Sequence, residues 1–284
     1  MNNKVTSVIA LCVFAIVAFI AVRIVFPENN ARPAVVETAF ADDFFGIGLE
    51  DNSCGDTVVD GDGNSYGSVL IGSQCWMTEN MRFGIQVPGS QNQGHASITG
   101  AYKYCYGDDP ANCETFGALY QWHTAMRLPQ FCDTGNIACT VNPVHQGICP
   151  KGWHVPTDAE WHELELAYAD PSTCDVSHNN GNCDPAASAL KSTDLWNGQA
   201  GDNSSGFAGL PSGYRDATPS EGQHFFCSGD DECDSGHFWT ASSSPATTTA
   251  TSAIQHNLYL EDQEVHRGHY NKQYGFGLRC LKNK

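Results

Sequence analysis

Ile148-Cys149-Pro150-Lys151-Gly152-Trp153-His154-Val155-Pro156-Thr157-Asp158-Ala159-Glu160-Trp161 decides how the chain is read. Thr157 followed three residues later by Glu160 is a capping box, in which each side chain satisfies the other residue's backbone N–H, and Pro156 stands just ahead of it. Trp161, Leu164 and Tyr168 then recur at i, i+3 and i+7, the spacing of one helix face. The stretch predicts one main helix near 157–169 that stops at Asp170-Pro171, with Trp161 on its inner side and Trp153 packed beneath it. A shorter helix is expected over Pro185 to Lys191, where Ala186, Ala187, Ala189 and Leu190 favour it.

Around these helices the pattern is strand and loop. Thr57 to Val59 and Tyr66 to Ile71 flank the turn Asp60-Gly61-Asp62-Gly63-Asn64, which reads as a hairpin. That acidic turn resembles the start of a calcium loop, but Ser65 and Ile71 stand where the EF-hand needs Gly and Glu, so a plain turn is expected. Phe238 to Ala241, Ala253 to Leu260 and Tyr274 to Leu281 read as late strands, with Thr240 to Ala253 a long Ser/Thr/Ala loop between the first two. The fold class is α+β with short strands. Six Trp, at 76, 122, 153, 161, 196 and 239, supply large rings in place of a regular sandwich core.

With 284 residues, 41% apolar and 16% charged, the chain can bury a core. Its 14 Lys and Arg against 32 Asp and Glu leave a net charge of -18, which argues against nucleic acid or anionic lipid as a partner of the globular part. Thirteen cysteines, twelve of them spread from Cys54 to Cys280, argue for an oxidising compartment. Val5 to Phe26 is almost wholly apolar and as a helix would span about 33 Å, enough to cross a bilayer. Residues 1–26 are therefore expected to be a transmembrane signal anchor and 27–53 a tether, with the domain proper over 54–284 outside the membrane. Ala39-Phe40-Ala41 has the form of a cleavage site, and cleavage after Ala41 would give a secreted protein instead. A processed pilin-like helix is a third possibility.

The chain resembles the Fibrobacter succinogenes major paralogous domain family. The resemblance is carried, in order, by Gly63-Asn64-x-Tyr66, Ile71-Gly72-x-Gln74-x-Trp76-Met77-x-Glu79-Asn80-Met81, Gly117-Ala118-Leu119-Tyr120-x-Trp122 and the opening stretch above. Leu190-Lys191-Ser192-Thr193, Gly206-Phe207-x-Gly209-Leu210-Pro211-x-Gly213-Tyr214-Arg215, Phe238-Trp239-Thr240-Ala241 and Tyr274-Gly275-Phe276-Gly277-Leu278-Arg279-Cys280 complete it. It runs from about Val58 to Lys282. The family is in turn distantly similar to the formylglycine-generating enzyme and C-type-lectin-like fold, which implies a C-type-lectin-like mixed fold with long disulfide-stapled loops. Export or surface display is also implied.

Cys105 with Cys113, Cys132 with Cys139, Cys174 with Cys183 and Cys227 with Cys233 are each close enough to staple a loop, worth about 2 to 3 kcal/mol by loop-closure entropy. The resemblance places Cys149 and Cys280 in two of its motifs and implies their pairing. Cys54 and Cys75 remain, flanking the first hairpin. The spacings do not match zinc motifs.

No nucleophile elbow, phosphate loop or His-Glu-x-x-His occurs, and His266 and His269, the only histidines near ligand spacing, lie in a segment read as polar and exposed. The expected function is a non-catalytic cell-surface binding or display module that recognises a glycan or a protein through polar, ring-rich loops. Asp194, Trp196 and Asn197 are its candidate ligand residues, with Trp196 as an exposed stacking ring. Asp230, Asp231 and Asp234 form an acidic loop that could hold calcium, the one cofactor considered. Two other readings stay open: a self-assembling subunit of a surface filament or envelope layer, and an oxidase or other enzyme on the same scaffold, for which a free thiol or a bound copper ion would speak.

Overall fold

The computed structural model describes residues 54–94, 100–134, 139–175, 180–198, 200–218, 225–226, 233–243 and 251–284. The apolar run at 5–26 and the tether lie outside them, and among the described residues no helix is long and apolar enough to cross a membrane. Strands are short at the start: β1 (Val58–Val59), β2 (Ser65–Tyr66), β3 (Ser68–Ile71), β4 (Gln74–Met77), β5 (Ile85–Gln86) and β6 (Tyr102–Lys103). Helices α1 (Pro110–Phe116), α2 (Trp122–Ala125) and α3 (Phe131–Thr134) follow, then β7 (Trp153–His154) and α4 (Asp158–Leu166). After β8 (Asn180–Asn182) and α5 (Ala186–Leu190) come β9 (Tyr214–Arg215), β10 (Phe225–Phe226), β11 (Ser235–Ser243), β12 (Ser252–Tyr259), β13 (Val265–Asn271) and β14 (Leu281–Lys282).

The expected hairpin is split. β1 and β2 pair across the acidic turn, but the chain then breaks at Gly67 and β3 turns back on β4 to make a second hairpin. Asp60 explains the first turn: its carboxylate accepts from the N–H groups of Asp62 and Asn64, the Asn64 amide and the Tyr66 hydroxyl, at 2.7–3.0 Å. Its oxygens serve the chain's own donors, as a plain turn requires.

One four-stranded sheet has the order β3-β4-β14-β7, and its register puts Leu281 opposite both Trp76 and His154. Strand β14 is thus inserted between β4 and the stretch before the main helix, and the Cys149–Cys280 bridge closes the same junction. Tyr274 to Cys280, expected as strand, contributes isolated bridges at Gly275, Phe276 and Gly277, so regular pairing begins at Leu281. Arg279 anchors this segment. Its guanidinium is fully buried and donates to Asn80 Oδ1 (2.9 and 3.0 Å), Met77 O (3.0 Å), Ala208 O (3.3 Å) and Phe207 O, with the Phe207 ring centroid 4.2 Å away. A guanidinium offers five donors in a fixed fork, and here four oxygens from two distant segments meet it.

Gly117 belongs to the same junction. Its φ of +81° suits glycine, and a Cβ there would fall 2.3 Å from the Asn80 Cβ. Asn80 also donates from Nδ2 to Phe116 O. The separate motifs around Asn80, Gly117, Phe207 and Arg279 are one packing unit.

The main helix, α4, has both halves of its capping box, Thr157 and Glu160. Trp161 is fully buried and stacks on His256 at 5.1 Å, with Trp76 and Phe207 edge-on at 5.3 and 5.5 Å. Such ring pairs add about 0.5–1.5 kcal/mol each beyond area burial. Trp153 is buried too, but it packs with Trp122, Trp239 and Val155 in a second hydrophobic cluster and not with Trp161 beneath the helix. The shorter helix, α5, forms where alanines predict it.

The other four-stranded sheet, β11-β12-β13-β8, is antiparallel throughout. β11 runs on to Ser243, past the Ala241 at which the strand was expected to end, and residues 244–250 lie outside the described residues. The sheet joins α4 through charge: His256 Nδ1 meets Glu165 Oε1 at 2.6 Å and its Nε2 meets Asp158 Oδ1 at 3.0 Å, while Arg267 holds Asp158 with two bonds of 2.7 Å. Burial would raise the Asp158 pKa, but the Arg267 and His256 bonds outweigh it and hold it below the usual range.

Five expected disulfides are present: Cys54–Cys75, Cys105–Cys113, Cys132–Cys139, Cys149–Cys280 and Cys174–Cys183. Cys233 is also disulfide-bonded, and Cys227 lies outside the described residues.

Candidate functional site

Side chains alternate along a strand, so the register of β11, β12 and β13 assigns each residue to a face. Phe238, His256, Leu258, Val265 and Arg267 share the face that packs on α4. His237, Asn257 and His266 stand in one row on the opposite face, with Gln255 beside Gly268 in the next row and Ala253 beside Tyr270 beyond it. One face packs on α4, and on the other Trp239 and Ala253 join the second hydrophobic cluster while the remaining residues are polar and aromatic.

Gly268 opens that second face. A Cβ there would approach the Tyr270 ring to 2.7 Å and the Gln255 amide nitrogen to 3.5 Å. Beside it lies a hollow of about 330 Å³, floored by Gln255 and Asn257 and flanked by Tyr259, His266 and Tyr270. A smaller hollow of about 110 Å³ shares Tyr259 and Tyr270 and reaches His237, Tyr214, Tyr274 and Phe276.

The floor carries polar atoms whose hydrogen-bonding capacity is unused. Gln255 Nε2 donates to Asn257 Oδ1 at 2.8 Å, while Gln255 Oε1 and Asn257 Nδ2 make no well-formed hydrogen bond, although the Gln255 side chain acts on His237 and that of Asn257 on Tyr259. His237 is held between the Phe276 ring, stacked at 5.0 Å, and the Tyr214 ring, edge-on at 5.0 Å. Neither of its nitrogens makes a well-formed hydrogen bond. Burial pulls its pKa down to about 4, with the Gln255 side chain opposing, so the imidazole is neutral at pH 7. Burial likewise pushes Tyr259 up to about 12. A buried polar group without a partner costs about 1–3 kcal/mol, and three such residues converge here.

Trp196 is not the exposed ring that was expected. It is 4% exposed, its Nε1 donates to Gly209 O at 2.9 Å, and Lys191 Nζ sits 5.4 Å from its ring. Leu195 takes a left-handed backbone, φ 68°, and is 51% exposed, so the turn sends the Leu outward and the Trp inward. Asp194 and Asn197 are exposed. Asn197 and the edge of Trp196 border a separate cleft of about 590 Å³ that also touches Tyr106, Phe116 and Cys233. Of the acidic loop, Asp230 and Asp231 lie outside the described residues, and Asp234 uses its backbone carbonyl to accept from Leu260.

The segment with His266 and His269 is strand β13, part of the sheet and not a free polar loop. Three residues apart on a strand, the two histidines leave it on opposite faces, although both border the hollow of about 330 Å³. His162, Glu165, Cys174 and Cys183 do gather, with ligand atoms within 4.8 Å of one another. The two sulfurs are a disulfide, however, so the thiolates a metal would need are absent from the oxidised protein.

His237, Gln255, Asn257 and Gly268 were not singled out from the sequence. Their signal was present: in Ala253-Ile254-Gln255-His256-Asn257-Leu258-Tyr259 the residues at odd positions are small, polar or hydroxylated, so the strand's second face differs from its apolar one.

No curated protein and no solved structure matches the chain. The family profile of the Fibrobacter succinogenes major domain matches residues 69–282, beginning at β3, so the first hairpin precedes it and the match starts later than the Val58 expected from the motifs. That match takes in both four-stranded sheets, the main helix and the polar-aromatic cleft, and the chain belongs to the Fibrobacter succinogenes major domain family.

Proposed function

We propose that this chain is an exported, membrane-attached binding module, non-catalytic, which holds a glycan or protein ligand on the polar-aromatic face of the β11-β12-β13 sheet. One observation carries the reading: His237, Gln255 and Asn257 are buried with unused hydrogen-bonding atoms at a hollow walled by tyrosines. Buried polar groups normally have partners, and a cluster without them at a concave surface fits groups reserved for a ligand. The histidine–carboxylate pairs elsewhere support packing instead of chemistry. His123 with Asp133, and His256 with Glu165, are almost wholly enclosed and join elements of the fold. Export accords with the disulfides, and a distant C-type-lectin-like ancestry is part of the same reading.

The test is a binding screen of the labelled full chain, in mild detergent, against immobilised glycans and surface proteins. Tyr270→Ala serves as the cleft variant. Binding that weakens at least about tenfold in Tyr270→Ala, with the melting profile retained, supports the site. Equal binding by both proteins would move the site elsewhere, and binding by neither would remove the function.

A further inference from the structure

The chemistry of the cleft narrows what fits it. A neutral imidazole donates from one nitrogen and accepts on the other, Gln255 Oε1 accepts, and Asn257 Nδ2 donates. Donors and acceptors therefore stand side by side, which suits hydroxyl groups, since each hydroxyl both gives and takes a hydrogen bond. Tyrosine rings flank the same hollow and offer flat apolar faces for C–H groups. At about 330 Å³ it is at the small end of ligand pockets, with the 110 Å³ hollow adjoining.

The charges that border the larger hollow are already engaged. Arg267 lines it, but its guanidinium is held by Asp158 through two bonds of 2.7 Å, and the ring of His266 is held by Asp262 at 2.6 Å. Asp216 stands near enough to act on Tyr214 and Tyr274, and Asp234 on Tyr259, so negative charge lies beside the tyrosines and disfavours an anion against them. Among the described residues no carboxylate lines either hollow, so hard-cation ligands are missing from it.

We infer that the cleft takes an uncharged, hydroxyl-rich sugar ring, read by His237, Gln255 and Asn257 and seated against tyrosine, with no bridging metal ion. This rests on the binding reading above and adds the ligand class. Gly268 supplies the gap through which the ring reaches the carboxamides.

Equilibrium binding of the full chain in mild detergent tests it, with cellotetraose, maltotetraose and mannotetraose as neutral probes and tetragalacturonate as the anionic one, each in EDTA and in calcium. The second protein is the double variant Gln255→Leu/Asn257→Leu. At least one neutral probe should bind in EDTA and tetragalacturonate should bind more weakly. The double variant should lose at least about tenfold in affinity with an unchanged or raised melting temperature, because its floor no longer buries unused polar atoms. Preference for tetragalacturonate, a need for calcium, or failure of every neutral probe overturns the sugar assignment. So does a lowered melting temperature with binding intact, which would assign the carboxamides to a structural water network. None of these results removes the binding module if a protein or an acidic glycan still binds in a Tyr270-dependent way. Absence of any ligand in that screen removes both.

Discussion

Arg279 and Asn80 lie 199 residues apart in sequence, and the Asn80 Oδ1 accepts from both Nε and Nη2 of the arginine at 3.0 and 2.9 Å. The pair is buried, and the remaining guanidinium donors go to main-chain carbonyls near Met77 and Phe207. Burial pulls the arginine pKa down to about 9, Glu79 opposing, so the group stays charged at neutral pH and depends on those oxygens. Truncation would strand several acceptors at once. We expect Arg279→Ala to cost about 3–5 kcal/mol and Asn80→Ala about 1–3 kcal/mol. Urea denaturation should show the double variant to be less destabilised than the sum, since both changes remove one network. Strict additivity would mean the two residues act apart.

The bridges differ in what they constrain. Cys149–Cys280 closes a separation of 131 residues and Cys132–Cys139 one of 7. Loop-closure entropy gives about 5 kcal/mol for the first and about 2.4 kcal/mol for the second, a model-dependent ratio of two. Cys149→Ser/Cys280→Ser should therefore lower the unfolding free energy about twice as much as Cys132→Ser/Cys139→Ser. Peptide mapping after thiol labelling of the denatured, unreduced chain should find Cys12 as its one free thiol. A second labelled cysteine contradicts six bridges.

Two buried histidines give opposite pH dependences. His237 has its folded pKa lowered from 6.5 to about 4, so the unfolded chain binds its proton first and stability falls as pH drops from about 6.5 to 4. At about 1.4 kcal/mol per unit the effect is on the order of 3 kcal/mol. For His256 burial pulls the pKa down, but Glu165 and Asp158 outweigh it and the net shift is upward. Its contribution is complete below the unfolded value and is lost as pH rises through the folded one. Denaturation of His237→Asn should show a smaller loss between pH 7 and pH 4 than the parent, and His256→Asn a smaller loss on the alkaline side. Parallel pH curves for parent and variants contradict these assignments.

What could be read beforehand follows the range of the interactions. The capping box at Thr157 and Glu160, the alanines of α5 and the close pairs Cys105–Cys113, Cys132–Cys139 and Cys174–Cys183 act over a few residues, and these formed as local spacing predicts. Trp196 misled because its surroundings are polar in sequence, whereas a left-handed Leu195 and the distant Gly209 carbonyl settle its orientation. β13 was passed over because Val265-His266-Arg267-Gly268-His269 lacks apolar alternation. Its inward residues include Arg267, which is accommodated only because Asp158 stands across from it on α4. The cleft residues needed the register of three strands before they shared a face.

Membrane attachment remains the expectation set by Val5 to Phe26, whose apolar length of about 33 Å as a helix matches a bilayer core. Arg23, near the outer end of that run, can extend its charged head to the headgroups while its stem stays in the apolar region. The Ala39-Phe40-Ala41 site follows the run by about a dozen residues, which is remote for signal peptidase, so the parent chain should sediment with membranes and resist extraction by carbonate. Replacing Phe14, Val17 and Ile20 with Lys should release it from the membrane fraction or prevent its export. N-terminal sequencing decides between anchor and leader: an intact N-terminus on the membrane form supports the anchor, and a soluble form beginning at Asp42 replaces anchoring with secretion.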